Sequence, residues 1–365
     1  MMKISGWSVA LGAALATIAC AENPTAVVSP DISVRAAKPV RPPQSSITVV
    51  ALGTLPYVEG PRGDQGMALA LNNGTSRSAT RVGGYTRYNT NRYHPFTWTQ
   101  ETGIAPLAVI EPRPGWVQGV SDGGVMVGEI NTSGENQPFV VTATGPMSYL
   151  PVPSGSSGYA TGISADGACI SGGIWDGTSG QAVIWRSGAL EILGPGDAAG
   201  ITNDCLTVAG SSGGRAVIWR HAASSWTVEV LPARGPQSRF VGSLRFTEGL
   251  DISPSGEYVS GHRADSASAS AVVWQRTTGG WVVTDMPGTT SSARGVDNSG
   301  RAVGHGSVGE PVVWTRSSTG VYTMQALPLL SRSTEGWPAA INELGQVVGR
   351  SKNRDGVQPV LWTIN

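Results

Sequence analysis

The sequence predicts an all-β chain folded as a seven-bladed β-propeller and closed by an N-terminal strand that completes the last blade. Three observations predict it: a Trp motif that recurs along the chain, a strand–turn–strand motif upstream of each copy, and two incomplete ends that complement one another. The Trp motif reads HPFTW to Trp98, QAVIW to Trp185, RAVIW to Trp219, SAVVW to Trp274, EPVVW to Trp314 and QPVLW to Trp362, with a degenerate copy, QPFVV, ending at Val141. The spacings are 43, 44, 34, 55, 40 and 48 residues, a mean of 44. A period in the forties built from short strands signals stacked or closed small sheets.

The upstream motif is an apolar residue, a polar pair, Gly, and a second apolar run ending in another Gly. It begins at Leu71, Val120, Ile163, Ile201, Ile252, Val296 and Ile341, as in VSDGGVMVG, ISADGACISG and VDNSGRAVG. Polar residues followed by Gly make a tight hairpin, with Gly where φ must be positive. The residues before each turn are small (ATGIS, AAGIT, ARGV, PAAIN), which suits innermost strands that converge on an axis. The Trp motif is the third strand. A fourth follows it in WTVEVLP, WVVTDMP and VYTMQALP. Four strands per repeat make a propeller blade. The last Trp motif ends the chain without a fourth strand, and SSITVVALGTLP (residues 45–56) is a fourth strand with no blade before it. Ile47 to Leu52 is therefore expected to pair with Val360 to Ile364. The rival, an open solenoid, would leave those ends apart.

Composition agrees. Fifty Gly, 24 Pro and only 14% charged residues suit many short strands joined by turns. The net charge is zero and Lys occurs only three times, at Lys3, Lys38 and Lys352. Nucleic acid is thereby excluded as a partner, because phosphate neutralisation needs a cationic excess.

The N-terminus reads as export machinery. Lys3 precedes an apolar run from Ile4 to Ala19, too short to span a bilayer comfortably, and ATIAC resembles a bacterial lipobox with Cys20 as the lipidated residue. Residues 1–20 are thus a lipoprotein-type signal, 21–45 a tether rich in Pro, Ala and Ser, and 46–365 the propeller. The expected location is outside the cytoplasm, lipid-anchored to the bacterial cell envelope or secreted. The lipid is the only expected membrane contact.

LGTL at Leu52 to Leu55, INELG at Ile341 to Gly345 and HPFTW at His94 to Trp98 resemble the probable extracellular repeats of the HAF type. The resemblance covers about residues 47 to 363. It implies a secreted bacterial propeller-like protein, and it lends no catalytic residues.

No catalytic constellation emerges from the spacing. The histidines (His94, His221, His262, His305) fall in different blades at unrelated repeat positions, which argues against a zinc site. Asp122, Asp166, Asp204 and Asp297 read as turn residues that bond their own backbone. Cys169 and Cys205 sit in neighbouring blades, two repeat positions apart, and that offset argues against a disulfide. No cofactor or metal is expected.

One cluster stands above background. The loops from second to third strand, and from each blade to the next, share one propeller face. They carry aromatic and Arg side chains, of which Trp116, Tyr159, Trp337, Arg239, Arg332 and Tyr88 are the expected binding residues. Trp116, Tyr159 and Trp337 each stand four residues before the apolar turn residue and should surround the channel mouth. Rings with Arg suit sugar faces, peptides or anionic polymers. The competing reading is that the rings cap the layers between blades. The sequence thus points to a monomeric, non-catalytic binding or interaction module for a polysaccharide or protein. The alternative is a carbohydrate-active hydrolase or lyase using Glu59, Asp64 or Glu248.

Overall fold

The computed structural model describes residues 46–56, 64–89, 92–108, 113–132, 134–142, 145–233, 251–264, 269–288, 292–306, 309–354 and 356–365. These form seven four-stranded antiparallel blades in a ring. The first strands, which line the axis, are Asp64–Leu71, Gly115–Val120, Ser157–Ile163, Asp197–Ile201, Asp251–Ile252, Ser292–Val296 and Glu335–Ile341. Among the described residues the only helix is one 3-10 turn, Arg77–Ala79, and no helix is long and apolar enough to cross a membrane.

The ring closes as the two ends require. The strand Ile47–Ala51 pairs antiparallel with Gly356–Ile364, in register from Ile47 opposite Ile364 to Ala51 opposite Val360, and Leu52 N–H continues the ladder to Pro359 O at 2.9 Å. Blade 7 is therefore built from both ends of the chain. Blade 1 clamps it: the Arg77 guanidinium donates to Leu344 O (3.1 Å), Ile364 O (2.7 Å) and Asn365 Oδ1 (2.6 Å).

An apolar layer lies at each of the seven blade boundaries, including the 7–1 boundary, where Leu52, Leu55, Val348 and Leu361 meet Ala68, Val82 and Phe96. The Trp motif supplies the largest buried side chains, Trp185, Trp219, Trp314 and Trp362. Burial of a large apolar side chain contributes roughly 1.5–3 kcal/mol. Each indole N–H also needs a partner once buried. Trp185, Trp274, Trp314 and Trp362 donate to the carbonyls of Pro151, Pro232, Pro287 and Pro328, each just past the fourth strand of the preceding blade. The Leu-Pro or Met-Pro ending of one blade and the Trp of the next thus form a single latch.

The turns between first and second strands build a second ring. In blades 2 to 7 the residue in the Gly position has positive φ and returns its N–H to the first turn residue, as Gly124 does to Ser121 and Gly300 to Asp297. The second turn residue reaches the neighbouring blade. Asn73 N–H donates to Asp122 Oδ1, Asp122 N–H to Ala165 O, Ala165 N–H to Asn203 Oδ1 and Asn203 N–H to Pro254 O. Ser255 N–H replaces the donor Pro254 lacks and reaches Asn298 Oδ1; Asn298 N–H goes to Glu343 Oε1, and Glu343 N–H returns to Asn73 Oδ1. Side-chain oxygens accept where the residue is Asn, Asp or Glu, and a main-chain carbonyl accepts where it is Ala or Pro. Asp166, Asp204 and Asp297 bond their own turns as expected from sequence. Asp122 differs, since its carboxylate serves the blade behind it.

First strands are kinked. In six blades the register slips by one residue against the second strand, and the skipped residues are Leu69, Gln118, Thr161, Ala199, Arg294 and Ala339. All six line the central channel. Opposite the slip, the second strand carries the Gly that ends each upstream motif. A Cβ on Gly128 would fall 1.8 Å from Trp116 O, and one on Gly304 would fall 1.9 Å from Ser292 O. Backbone cannot yield as a side-chain tip can. Gly128→Ala is expected to cost roughly 2–3 kcal/mol, read as a lower midpoint in thermal or urea unfolding.

The structure corrects the sequence reading at the cysteines. Cys169 and Cys205 are joined in a disulfide with Cα atoms 5.9 Å apart. Counting repeat positions ignored the stagger of neighbouring sheets. The start of one second strand packs against the next blade's turn, and Cys205 holds that turn's Gly position with φ +61°.

Candidate functional site

Among the described residues, chemistry-bearing side chains gather in the central channel and on the face opposite the tight turns. The channel holds a cavity of about 230 Å³. The residue before the apolar turn residue is small in six blades, Ala70, Gly119, Gly162, Gly200, Gly295 or Ala340, and all but Gly295 line the cavity. In blade 5 that residue is Asp251. Its carboxylate accepts from Ile252 N–H (2.9 Å) and, across the boundary, from Val296 N–H (3.3 Å). Loss of solvent around this half-buried carboxyl pushes its pKa up to about 7, against the opposing pull of those two N–H donors. Arg294, Gln118 and Thr161 share the lumen.

Asp251 should make stability fall with pH. In the unfolded chain this carboxyl ionises near 3.8, whereas in the folded chain it keeps its proton to about 7. Between those values the unfolded state binds fewer protons, so folding weakens as pH rises through the window and levels off above it. Asp251→Ala, which copies Ala70 and Ala340, is expected to be progressively more stable relative to the parent from pH 4 to pH 7. Denaturant unfolding across that range checks it, and a pH-independent difference would contradict it.

The opposite face carries an arc of aromatic rings across blades 7, 1, 2 and 3. Trp337 lies beneath the Arg350 guanidinium, 4.3 Å from its ring centroid. Tyr85 and Tyr93 meet edge to face at 5.0 Å, and Trp116 approaches them at 6.3 and 6.2 Å. Burial raises the Tyr85 hydroxyl above the ordinary phenol value, partly offset by the Arg350 charge. One cleft, about 350 Å³, is formed by Trp337, Tyr85, Tyr93, Arg350, Glu335 and Lys352. Lys352 Nζ pairs with Glu335 at 3.2 Å. A second cleft, about 500 Å³, opens between Trp116 and Trp175, with Asn131, Asn136, Glu135 and Ser157 on its walls. Trp175 is 39% exposed.

The six expected binding residues divide. Trp116 and Trp337 stand in this arc. Tyr159 does not: it is buried, and its hydroxyl donates to the Asp197 carboxylate of the next blade. The residue facing it across the ladder is Gly173, where a Cβ would sit 2.4 Å from the Tyr159 oxygen, so the ring lies over the bare backbone as packing. Trp116 and Trp337 face Glu129 and Arg350 instead, which fill that space. Arg332 is exposed, with φ +66°, and lines neither cleft. Tyr88 is on the strand Arg81–Asn89, but its side chain, like Arg239 and Cys20, lies outside the described residues. Glu59 and Glu248 lie outside them too, as does the side chain of Asp64.

Repeat alignment would have exposed what sequence reading missed. The residue after the second-strand Gly is Tyr85, Glu129, Gly173, Ser211, His262, His305 or Arg350. His262 and His305 therefore share one repeat position, contrary to the expectation that the histidines are unrelated; unequal loops between blades hid the match. His305 Nε2 lies 3.5 Å from Arg294. Among the described residues no three His, Cys, Asp or Glu side chains gather as a metal site.

No protein-family model matches the chain, and no curated protein matches it in sequence. Solved structures do match in fold. An oligogalacturonate lyase in complex with manganese is 13% identical, with a TM-score of 0.61 over 88% of this chain and 94% of that one. The oligogalacturonate lyase of Vibrio parahaemolyticus is 11% identical, with a TM-score of 0.57 over 88% and 99%. TolB from Acinetobacter baumannii is 13% identical, with a TM-score of 0.47 over 68% of this chain; the match spans 63% of the TolB chain, less than two thirds of it. At these identities the likeness is one of fold.

Proposed function

We propose that the chain is a non-catalytic binding module of the bacterial cell envelope, of the HAF extracellular-repeat kind, anchored by a lipid on Cys20 and spaced from the membrane by residues 21–45. It presents the aromatic arc to an extended glycan, peptide or polymer. The observation that carries this reading is the run of rings Trp337, Tyr85, Tyr93, Trp116 and Trp175 over four blades of one face. Flat rings bordered by polar side chains bind by stacking and hydrogen bonding at low entropic cost.

The test is binding of the purified protein to an array of glycans and cell-wall polymers. Trp116→Ala should lower capture tenfold or more while leaving the unfolding midpoint within a few degrees. Unchanged capture would refute the choice of face. A second reading, a carbohydrate-active hydrolase or lyase, is motivated by the fold shared with oligogalacturonate lyases and by Asp251, Arg294 and His305 in or beside the channel. Release of new reducing ends or unsaturated products from any array member would favour it.

A further inference from the structure

The two clefts of the aromatic face differ in charge, and Trp116 divides them. Among the described residues, the cleft between Trp116 and Trp175 has no cation on its walls; its polar groups there are Asn131, Asn136, Glu135 and Ser157. The amides are already set, Asn131 Nδ2 donating to Asn136 Oδ1 (3.0 Å) and Asn136 Nδ2 to the buried Glu129 carboxylate (2.5 Å). Oriented amides beside indole faces match the hydroxyls and the apolar ring face of a neutral sugar. The cleft at Trp337 carries two cations, Arg350 and Lys352, against one carboxylate, Glu335. The Arg350 guanidinium is held in place by the Trp337 ring beneath it and the Tyr85 hydroxyl beside it. A carboxylate is the group a guanidinium fork fits best.

We propose that the two clefts form one groove for an acidic heteroglycan. A neutral sugar sits between Trp116 and Trp175, and a carboxylate-bearing sugar sits against Arg350 and Lys352. The proposal rests on the binding-module reading and names its ligand class. A peptide fits less well, because among the described residues the only aliphatic side chain on either wall is Val357, which leaves little for a peptide's apolar anchors.

The experiment is titration of the purified full chain, at fixed moderate salt, with three probes. These are a soluble heteroglycan of alternating neutral and uronic sugars, the same polymer after carboxyl reduction, and polyglutamate. The acidic polymer should bind at least tenfold tighter than its reduced form, and polyglutamate should bind far more weakly than either. Lys352→Gln, at an exposed position, should cut the preference several-fold, and Arg350→Gln with Lys352→Gln should abolish it while reduced-polymer binding persists. Trp175→Ala should weaken both polymers equally. Equal affinity for both polymers in the parent, or a preference unmoved by Lys352→Gln, overturns the acidic-glycan assignment and leaves the binding module standing. Polyglutamate binding as tightly as the acidic polymer overturns the glycan class. Failure of every probe, together with a blank array, overturns both.

Discussion

Deleting Ile47–Ala51 should destroy cooperative folding. The strand carries the outer ladder of blade 7, from Ile47 opposite Ile364 to Ala51 opposite Val360. Ile47 and Val49 also pack on the 6–7 apolar layer, and Leu52 and Leu55, immediately downstream, sit in the 7–1 layer. Without the strand, Gly356–Ile364 becomes an unpaired edge facing solvent, a template for pairing with other chains. The expected result is loss of a single unfolding transition and a shift to large species in size-exclusion chromatography. Leu52→Ala keeps the ladder and removes only packing, so it should stay monomeric and cost roughly 2–4 kcal/mol. A monomeric deletion variant that melts with the parent would show that the ring needs no such closure.

Breaking the Cys169–Cys205 bridge should have the next largest effect. The linked residues are 36 apart in sequence, and the chain-entropy account assigns about 4 kcal/mol to a loop of that size. The two ways of breaking it should differ. Cys205 occupies a left-handed turn position, φ +61°, that five sister turns give to Gly124, Gly167, Gly256, Gly300 and Gly345. Cys205→Gly loses the bridge but relieves the left-handed strain, worth about 1–2 kcal/mol. Cys169→Ala loses the bridge and leaves the strain. Cys205→Gly is therefore expected to be the more stable of the two, and reductant should lower the parent's midpoint without moving either variant. Denaturant titrations with and without reductant decide it; a parent indifferent to reductant would contradict the assignment.

The ring was legible because its determinants are local and repeated. Each Trp, turn Gly and Leu-Pro ending appears in several copies, and the unmatched strands at the two ends make closure readable without coordinates. What escaped sequence reading depends on neighbours across blade boundaries. Cys169 and Cys205 look misaligned along the repeat yet meet through sheet stagger. Trp116, Tyr159 and Trp337 share one position, and their fates diverge according to the residue across the ladder: Gly173 lets Tyr159 lie down, whereas Glu129 and Arg350 hold the space beside the two Trp residues. Asp251 was visible in TEGLDIS as a charge where other copies have Gly or Ala. Its meaning needed the channel that those small residues leave open.

The circuit of turn amides from Asn73 round to Glu343 also gives the molecule a front and a back. Every donor in it points the same way round, and each is already consumed by the adjoining blade. That rim has no main-chain donors of this set left to offer a visitor, although Asn73, Asp122, Ala165, Asn203 and Pro254 border the channel cavity there. Anything approaching from that side must be held by side chains alone, whereas the aromatic side offers broad ring faces.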